Sequence, residues 1–208
     1  MGMKRLFLVF ALLSLALAAR FAGFEVKPNG NSELDATTGI YTLATGGTIT
    51  DNKSGLSLVA KYIQYKDGEF IRAREANLES KDGKFEAASL DYQQKPDTLK
   101  MDTVRYSSGD LKGLTAKQGL LLGEDVLVLK GQVRSGSPSL EAETVVVDTA
   151  KNQALVLGNF TYKDGAATLR GQKTDSALLL SYGDGKTRAS TKVPAELLNR
   201  MRSYADKL

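Results

Sequence analysis

An eight-residue phrase recurs along the chain and constrains its fold more than any other feature. Its first position is apolar, its third is Ala, its sixth is small or apolar, and its eighth is aromatic or aliphatic; the other four positions vary. The clearest copies span residues 58–65, 85–92 and 140–147, and looser copies begin at Leu34, Ile71, Leu114 and Leu169. Copies start about 13 to 14 residues apart, or twice that. This short period predicts stacked strands that share one elongated core, since no single strand can bury its own apolar face.

The spacing inside the phrase predicts an irregularity in each strand. Positions one and three share a face of a strand, and so do positions six and eight. The step from position three to position six is odd, so a regular strand would place the two pairs on opposite faces. One extra residue, a β-bulge, would realign all four side chains. The alternative is chance recurrence, because β-rich sequences often contain Leu-x-Ala; the three clearest copies, however, agree at all four positions.

The first residues have the pattern of an export signal. Lys4 and Arg5 precede an apolar run at 6–19, which ends in the small-x-small pattern of a signal-peptidase site at 16–18. As a helix, this run would extend roughly 21 Å, which is short of a hydrocarbon core of about 30 Å. We therefore expect residues 1–19 to be a cleaved signal peptide, with a retained membrane anchor as the alternative. Residues 20–33 form a polar lead-in segment.

From 34 to 193 the sequence alternates strand-like runs with turn signals, which predicts one all-β domain. Lys-Asp-Gly occurs at 66–68, 81–83 and 163–165, and Asp-Gly between strands is a strong hairpin signal. Continuous apolar runs at 126–129, 144–147, 154–157 and 177–180 indicate strands covered on both faces, or strands with one face in the core and one along a groove.

Residues 194–208 are predicted to form a C-terminal amphipathic helix. Pro194 suits a first helical position, and apolar residues recur after it at helical spacing. One interpretation is a helix that covers an open strand edge. The other is a docking element for a partner, formed by Leu197, Leu198, Met201 and Tyr204.

Composition argues against several classes of function. The chain has no His and no Cys, which removes the commonest general base, the commonest metal ligand and the thiol nucleophile. Glu141 and Glu143 alternate with apolar residues, as on the solvent face of a strand. Without Lys4 and Arg5 the two charge types are nearly balanced, and basic residues do not interleave with aromatic ones. We therefore expect no enzyme activity, no catalytic residues, no metal, no cofactor and no nucleic-acid partner.

Two adjacent segments carry a family resemblance. Leu-Glu-Ala-Glu-Thr-Val-Val-Val-Asp at 140–148 and Asn-Gln-Ala-Leu-Val-Leu-Gly-Asn-Phe at 152–160 resemble the OstA-like repeat of the periplasmic lipopolysaccharide-transport family, the LptA and LptC type. Leu-Lys-Gly-Gln-Val at 129–133 resembles a further Gly-Asn-Val element. The sequence departs from the family pattern where Gln132 replaces Asn and where Glu143 replaces Asp.

The resemblance implies a twisted, half-open antiparallel β-jelly-roll of stacked repeat strands, with the short helix as an addition. It also implies a periplasmic protein of the cell envelope, involved in outer-membrane biogenesis, that carries lipopolysaccharide-like or other acyl lipid. The expected partners are that lipid, other jelly-roll proteins paired edge to edge, an inner-membrane transporter complex, or further copies of the chain.

Alternating strand faces then predict the residues of an apolar lipid groove. For each of them, the alternative interpretation is an ordinary packed residue of the core. The predicted groove residues are Leu58, Ile63, Tyr65, Phe85, Leu90, Tyr92, Leu127, Leu129, Val133, Val145, Val147 and Phe160. The competing function is a non-transporting envelope scaffold or interaction domain whose β core is filled.

Overall fold

The computed structural model describes residues 19–21, 24–51, 55–80, 83–109, 111–123, 125–183 and 185–208. The predicted export signal falls almost wholly outside these residues. The elements are β1 (Ala19–Phe21), β2 (Phe24–Pro28), β3 (Glu33–Asp35), β4 (Ile40–Leu43), β5 (Gly47–Asp51), β6 (Leu56–Lys66), β7 (Phe70–Ser80), β8 (Gly83–Gln93), β9 (Thr98–Ser108), β10 (Leu111–Leu122), β11 (Val126–Gly136), β12 (Ser139–Asp148), β13 (Gln153–Asp164), β14 (Ala167–Gly171), β15 (Ala177–Gly183), β16 (Lys186–Ser190) and α1 (Ala195–Ala205).

The described strands form one antiparallel sheet that does not close on itself, as the sequence predicts. Eight long strands, β6 to β13, follow each other as a meander, because at most four residues separate each strand from the next. The lead-in segment contributes to this sheet, since β2 pairs with β5 and Val26 is buried in the core.

Each long strand breaks near its middle, and the breaks line up as a crease across the sheet. Between β6 and β7 the pairing passes over Lys61 and Glu75, which form an ion pair there. Glu75 has φ +48° and Thr103, at the break of β9, has φ +49°. A left-handed backbone position interrupts the alternation of side chains along a strand. At β11 and β13 one extra residue produces the break.

The break in each strand explains the odd spacing inside the phrase. The prediction of an extra residue inside the phrase itself is wrong for the clearest copies, on β6, β8 and β12. Leu58, Ala60, Ile63 and Tyr65 are all buried in one core, so both halves of β6 direct their apolar side chains to the same side. In β6 to β9 the pairing register is the same before and after the break, whereas the extra residues lie on β11 and β13, beside the phrase strand β12.

The crease divides the sheet into two layers. β6 pairs with β5 through its first half and with β4 through its second half. At the other end, β13 pairs with β14 through its second half and with β15 through its first. We call the layer that contains β1, β2, β5 and β14 the first layer, and the layer that contains β3, β4, β15 and β16 the second layer. The core lies between them.

Of the apolar runs, those at 126–129, 144–147 and 154–157 are covered on both faces, the first of the two alternatives that the sequence offered. In β11, Leu127 and Leu129 belong to the core between the layers, while Val128 belongs to a second cluster on the outer face of the second layer. Helix α1 covers that cluster with Met201 and Ala205. The helix thus lies on a sheet face and not along a strand edge, because β10 to β13 present an apolar outer face there.

Candidate functional site

A cavity of about 490 Å³ lies between the two layers, toward the β5–β10 end of the sheet. The first layer contributes Ile49, Leu56, Leu58 and Leu78 to its wall, and Phe24 of β2 joins them. The apolar residues that the second layer contributes are Ile71, Leu90, Tyr92, Leu99 and Leu121. A volume of this size lies within the range of small-molecule sites, roughly 300 to 1,000 Å³.

The cavity is open on the side where hairpin turns join the strands. Its polar lining residues are found at strand ends or in turns: Asp51 ends β5, Ser80 ends β7, and Gln94 and Asp97 belong to the turn between β8 and β9. The apolar residues therefore form the wall and the polar residues form the rim. This amphipathic arrangement fits a ligand with an apolar body and a polar end.

Tyr92 lies between wall and rim. Its ring packs against the core, and its hydroxyl donates a hydrogen bond to Oδ1 of Asp97 at 3.2 Å. Burial, together with the charge and hydrogen bond of Asp97, raises the pKa of Tyr92 to about 12. The phenol therefore stays neutral at physiological pH and holds the Asp97 carboxylate at the rim.

The far part of the core, toward β11–β13, is packed. Leu127, Leu129 and Val147 are each 0 % exposed and line no part of the cavity. Tyr182 of β15 packs against this core, and its pKa is raised by burial, with smaller contributions from Tyr106 and Asp148. The apolar core is thus filled around Leu127, Leu129 and Val147 and leaves space near β5.

The structure places three of the twelve predicted groove residues on the cavity wall: Leu58, Leu90 and Tyr92. The other nine are buried in the core between the layers but do not line the cavity: Ile63, Tyr65, Phe85, Leu127, Leu129, Val133, Val145, Val147 and Phe160. Their positions correspond to the alternative given for each, an ordinary packed core residue. Alternation along a strand identifies the inner face but not where that face is left unfilled.

Sequence reasoning missed most of the wall and the whole rim. Ile71, Leu78 and Leu121 occupy first or last positions of the looser phrase copies, so the repeat itself marked them. Phe24 lies in the lead-in segment, ahead of the predicted domain. Gln94 and Asp97 stood out only as turn residues, and no local pattern connects them with Asp51, which is more than 40 residues away.

The four residues proposed for partner docking lie on helix α1, against the chain's own sheet. Met201 is 0 % exposed and belongs to the outer cluster, while Leu197, Leu198 and Tyr204 are half-buried beside it. Arg200 adds an ion pair to Asp148 of β12, with 3.3 Å between its guanidinium nitrogen and Oδ2. These four side chains therefore anchor the helix.

Within the described residues, no helix has the length and apolar composition needed to cross a bilayer. The same residues contain no group of three or more His, Cys, Asp or Glu side chains arranged to hold a metal ion. Comparison with protein-family models and with curated protein sequences finds no match for this chain.

Proposed function

We propose that this protein binds an acyl lipid between its two layers and carries it as an exported component of lipid transport in the cell envelope, without catalysing a reaction. The observation that carries the proposal is the apolar cavity with a polar rim at the hairpin side. The family resemblance of the repeat supports the same function and a periplasmic location.

The volume of the cavity suits about one long chain. At roughly 30 Å³ for each water-sized group, 490 Å³ corresponds to about sixteen such groups. Burying a methylene stabilises a complex by about 0.8 kcal/mol, so about sixteen of them contribute on the order of 13 kcal/mol before the costs of association. A lipopolysaccharide-like lipid with several chains would require the layers to separate further.

Edge pairing with other jelly-roll domains, with an inner-membrane transporter complex or with further copies of the chain is part of the proposal. The sheet ends in short strands: β1 and β3 have three residues each, and β14 and β16 have five each. Unpaired edges can accept another strand, whereas short ones offer few backbone hydrogen bonds. A stable pair would therefore need side-chain contacts in addition.

The first test is native mass spectrometry of the protein purified from its own cell envelope, followed by lipid extraction. The expected result is one co-purifying acyl lipid per chain. Its companion is a pair of variants, Leu58→Trp and Val59→Trp. Leu58 is 2 % exposed on the cavity wall and Val59, its neighbour, is 45 % exposed on the opposite face of β6.

Leu58→Trp fills part of the cavity, so we expect it to lose lipid and to bind the neutral probe N-phenyl-1-naphthylamine at least tenfold more weakly. Val59→Trp should bind like the unmodified protein, and circular dichroism should show both variants folded. A lipid-free mass with no uptake of the probe, or equal binding by the two variants, would refute the proposal.

The packed core near β11–β13 favours a second candidate, a scaffold domain that binds no lipid. Six of the predicted groove residues belong to these three strands and are buried there without lining the cavity. The same experiment separates the two functions, because a scaffold would remain lipid-free and would give no probe signal.

A further inference from the structure

The wall that the first layer gives to the cavity ends at one definite position. A row of residues, each paired with the next in the strand register, crosses this layer from β5 to β9: Ile49, Leu58, Leu78, Phe85 and Tyr106. The first three line the cavity, whereas Phe85 and Tyr106 do not. The wall therefore ends between Leu78 and Phe85, where the row changes from aliphatic to aromatic side chains.

Three aromatic side chains lie where the wall ends. The ring centroids of Phe85 and Tyr106 are 4.8 Å apart, and both residues are buried in the core between the layers. Tyr182 of the second layer packs against the same core; burial raises the pKa of its phenol, and Tyr106 adds to the rise, as expected for two phenols close together. We call Phe85, Tyr106 and Tyr182 the aromatic stop, because they occupy the gap between the layers at this end of the cavity.

The repeat marks the same position. Phe85 is the first residue of its copy of the phrase, and every other copy begins with Leu or Ile. Its neighbour in the register, Leu78, is one of the residues that line the cavity. A larger side chain at one position of the repeat therefore coincides with the end of the empty space.

We infer that the aromatic stop limits the length of the acyl chain that this protein binds, and that Phe85 is the residue that sets the limit. A chain that enters from the hairpin side has about 490 Å³ available, which corresponds to roughly sixteen carbon groups. Methylenes beyond that number stay uncovered. This inference rests on the proposed function and specifies which acyl chains the same cavity selects.

The test offers the protein lysophosphatidylcholines with chains of twelve, sixteen and twenty carbons, in equal amounts within phospholipid vesicles. A bilayer already covers every methylene, so chains that fit the cavity should be bound about equally. Each excess methylene loses that cover and should weaken binding about fourfold. Lipid bound to the re-isolated protein is extracted and quantified by mass spectrometry. We expect the unmodified protein to bind the twenty-carbon chain at least tenfold less than the sixteen-carbon chain.

Two variants move the stop in opposite directions. Phe85→Ala extends the cavity by about four methylenes, since the neighbours relax only partly into the space, and should bring the twenty-carbon chain within about threefold of the sixteen-carbon chain. Leu78→Phe adds a ring on the cavity wall beside Phe85 and should bind the sixteen-carbon chain at least tenfold less than the twelve-carbon chain. The matched control is Phe160→Ala, because Phe160 and Phe85 are both 5 % exposed and Phe160 lies in β13, away from the cavity; it should keep the original preference.

Circular dichroism shows which variants fold. If Phe85→Ala does not fold, Leu78→Phe decides the question by itself, since it places its ring in empty space. Equal binding of the sixteen- and twenty-carbon chains by the unmodified protein, a length limit that folded Phe85→Ala or Leu78→Phe leaves unchanged, or an equal shift in Phe160→Ala would overturn the inference while lipid binding stands. If none of these proteins binds any lysolipid, the proposed function fails, and the inference fails with it.

Discussion

Helix α1 is predicted to be an integral part of the fold, and Met201→Ala measures how strongly it is held. Met201 is 0 % exposed and belongs to a cluster with Leu120, Val128, Val146 and Leu155, which come from four adjacent strands. Replacing a buried Met by Ala costs about 2 to 5 kcal/mol. A pleated sheet cannot collapse far into the space that the side chain leaves, so we expect about 3 kcal/mol.

For a domain of this size, about 3 kcal/mol corresponds to a fall in Tm of roughly 6 to 12 °C. The chain contains no Trp, so urea unfolding is best followed by far-ultraviolet circular dichroism. Hydrogen exchange of the helix amides adds a local measurement. If the helix detaches before the sheet unfolds, Met201→Ala should accelerate exchange in α1 and leave the amides of β6 to β9 unchanged.

The matched control is Asn199→Ala, an exposed position on the same helix. It should change stability by less than about 0.5 kcal/mol, as surface substitutions usually do. If Met201→Ala cost no more than this control, the helix would not be held by the outer cluster. Leu197, Leu198, Met201 and Tyr204 would then be better explained as a surface for a partner.

Two further predictions concern the backbone and the phenols. Gly46→Ala should destabilise the fold by well over 2 kcal/mol, because φ is +77° and a Cβ would overlap the carbonyl oxygen of Ala60. The control Gly55→Ala should cost only the ~1 to 2 kcal/mol of a left-handed residue, since a Cβ there meets no described atom within 4 Å. Equal shifts of the urea midpoint for the two variants would contradict this prediction. The pKa values of Tyr65 and Tyr92 are raised from 10 to about 12, chiefly by burial, so the stability that they contribute is complete below pH 10 and is lost as the pH rises toward 12. Ultraviolet titration of the phenols beside the unfolding midpoint checks this, and Tyr92→Phe should make the decline shallower.

The repeat phrase predicted much of the fold, because its information is local. Leu58, Ala60, Ile63 and Tyr65 must share a face for β6 to bury its apolar side chains, and they do. The C-terminal helix was equally predictable, since Pro194 and the apolar spacing after it are features of one segment.

The backbone conformation at the break in each long strand could not be predicted from the sequence. An odd spacing shows that side-chain alternation must change, but not how it changes. In β7 and β9 the change occurs at left-handed residues, Glu75 and Thr103, whereas in β11 an extra residue produces it. Both solutions give the same burial pattern, so the pattern cannot distinguish them.

The position of the helix needed contacts from distant parts of the chain. Its amphipathic spacing showed that one side must be covered and left open what would cover it. The outer face of β10 to β13 provides the answer, because residues such as Val128 and Val146 come together only once the strands are paired.

The all-β repeat, the strand faces and the helix could be derived from residues that are close in sequence, because periodicity and turn chemistry act within one element. The cavity could not, because an empty space between two layers depends on how side chains from distant strands fill it. Asp51, Gln94 and Asp97 meet at one rim only because the crease folds the sheet over itself. The candidate site is therefore a property of the tertiary structure, and its residue types acquire their chemical meaning from that arrangement.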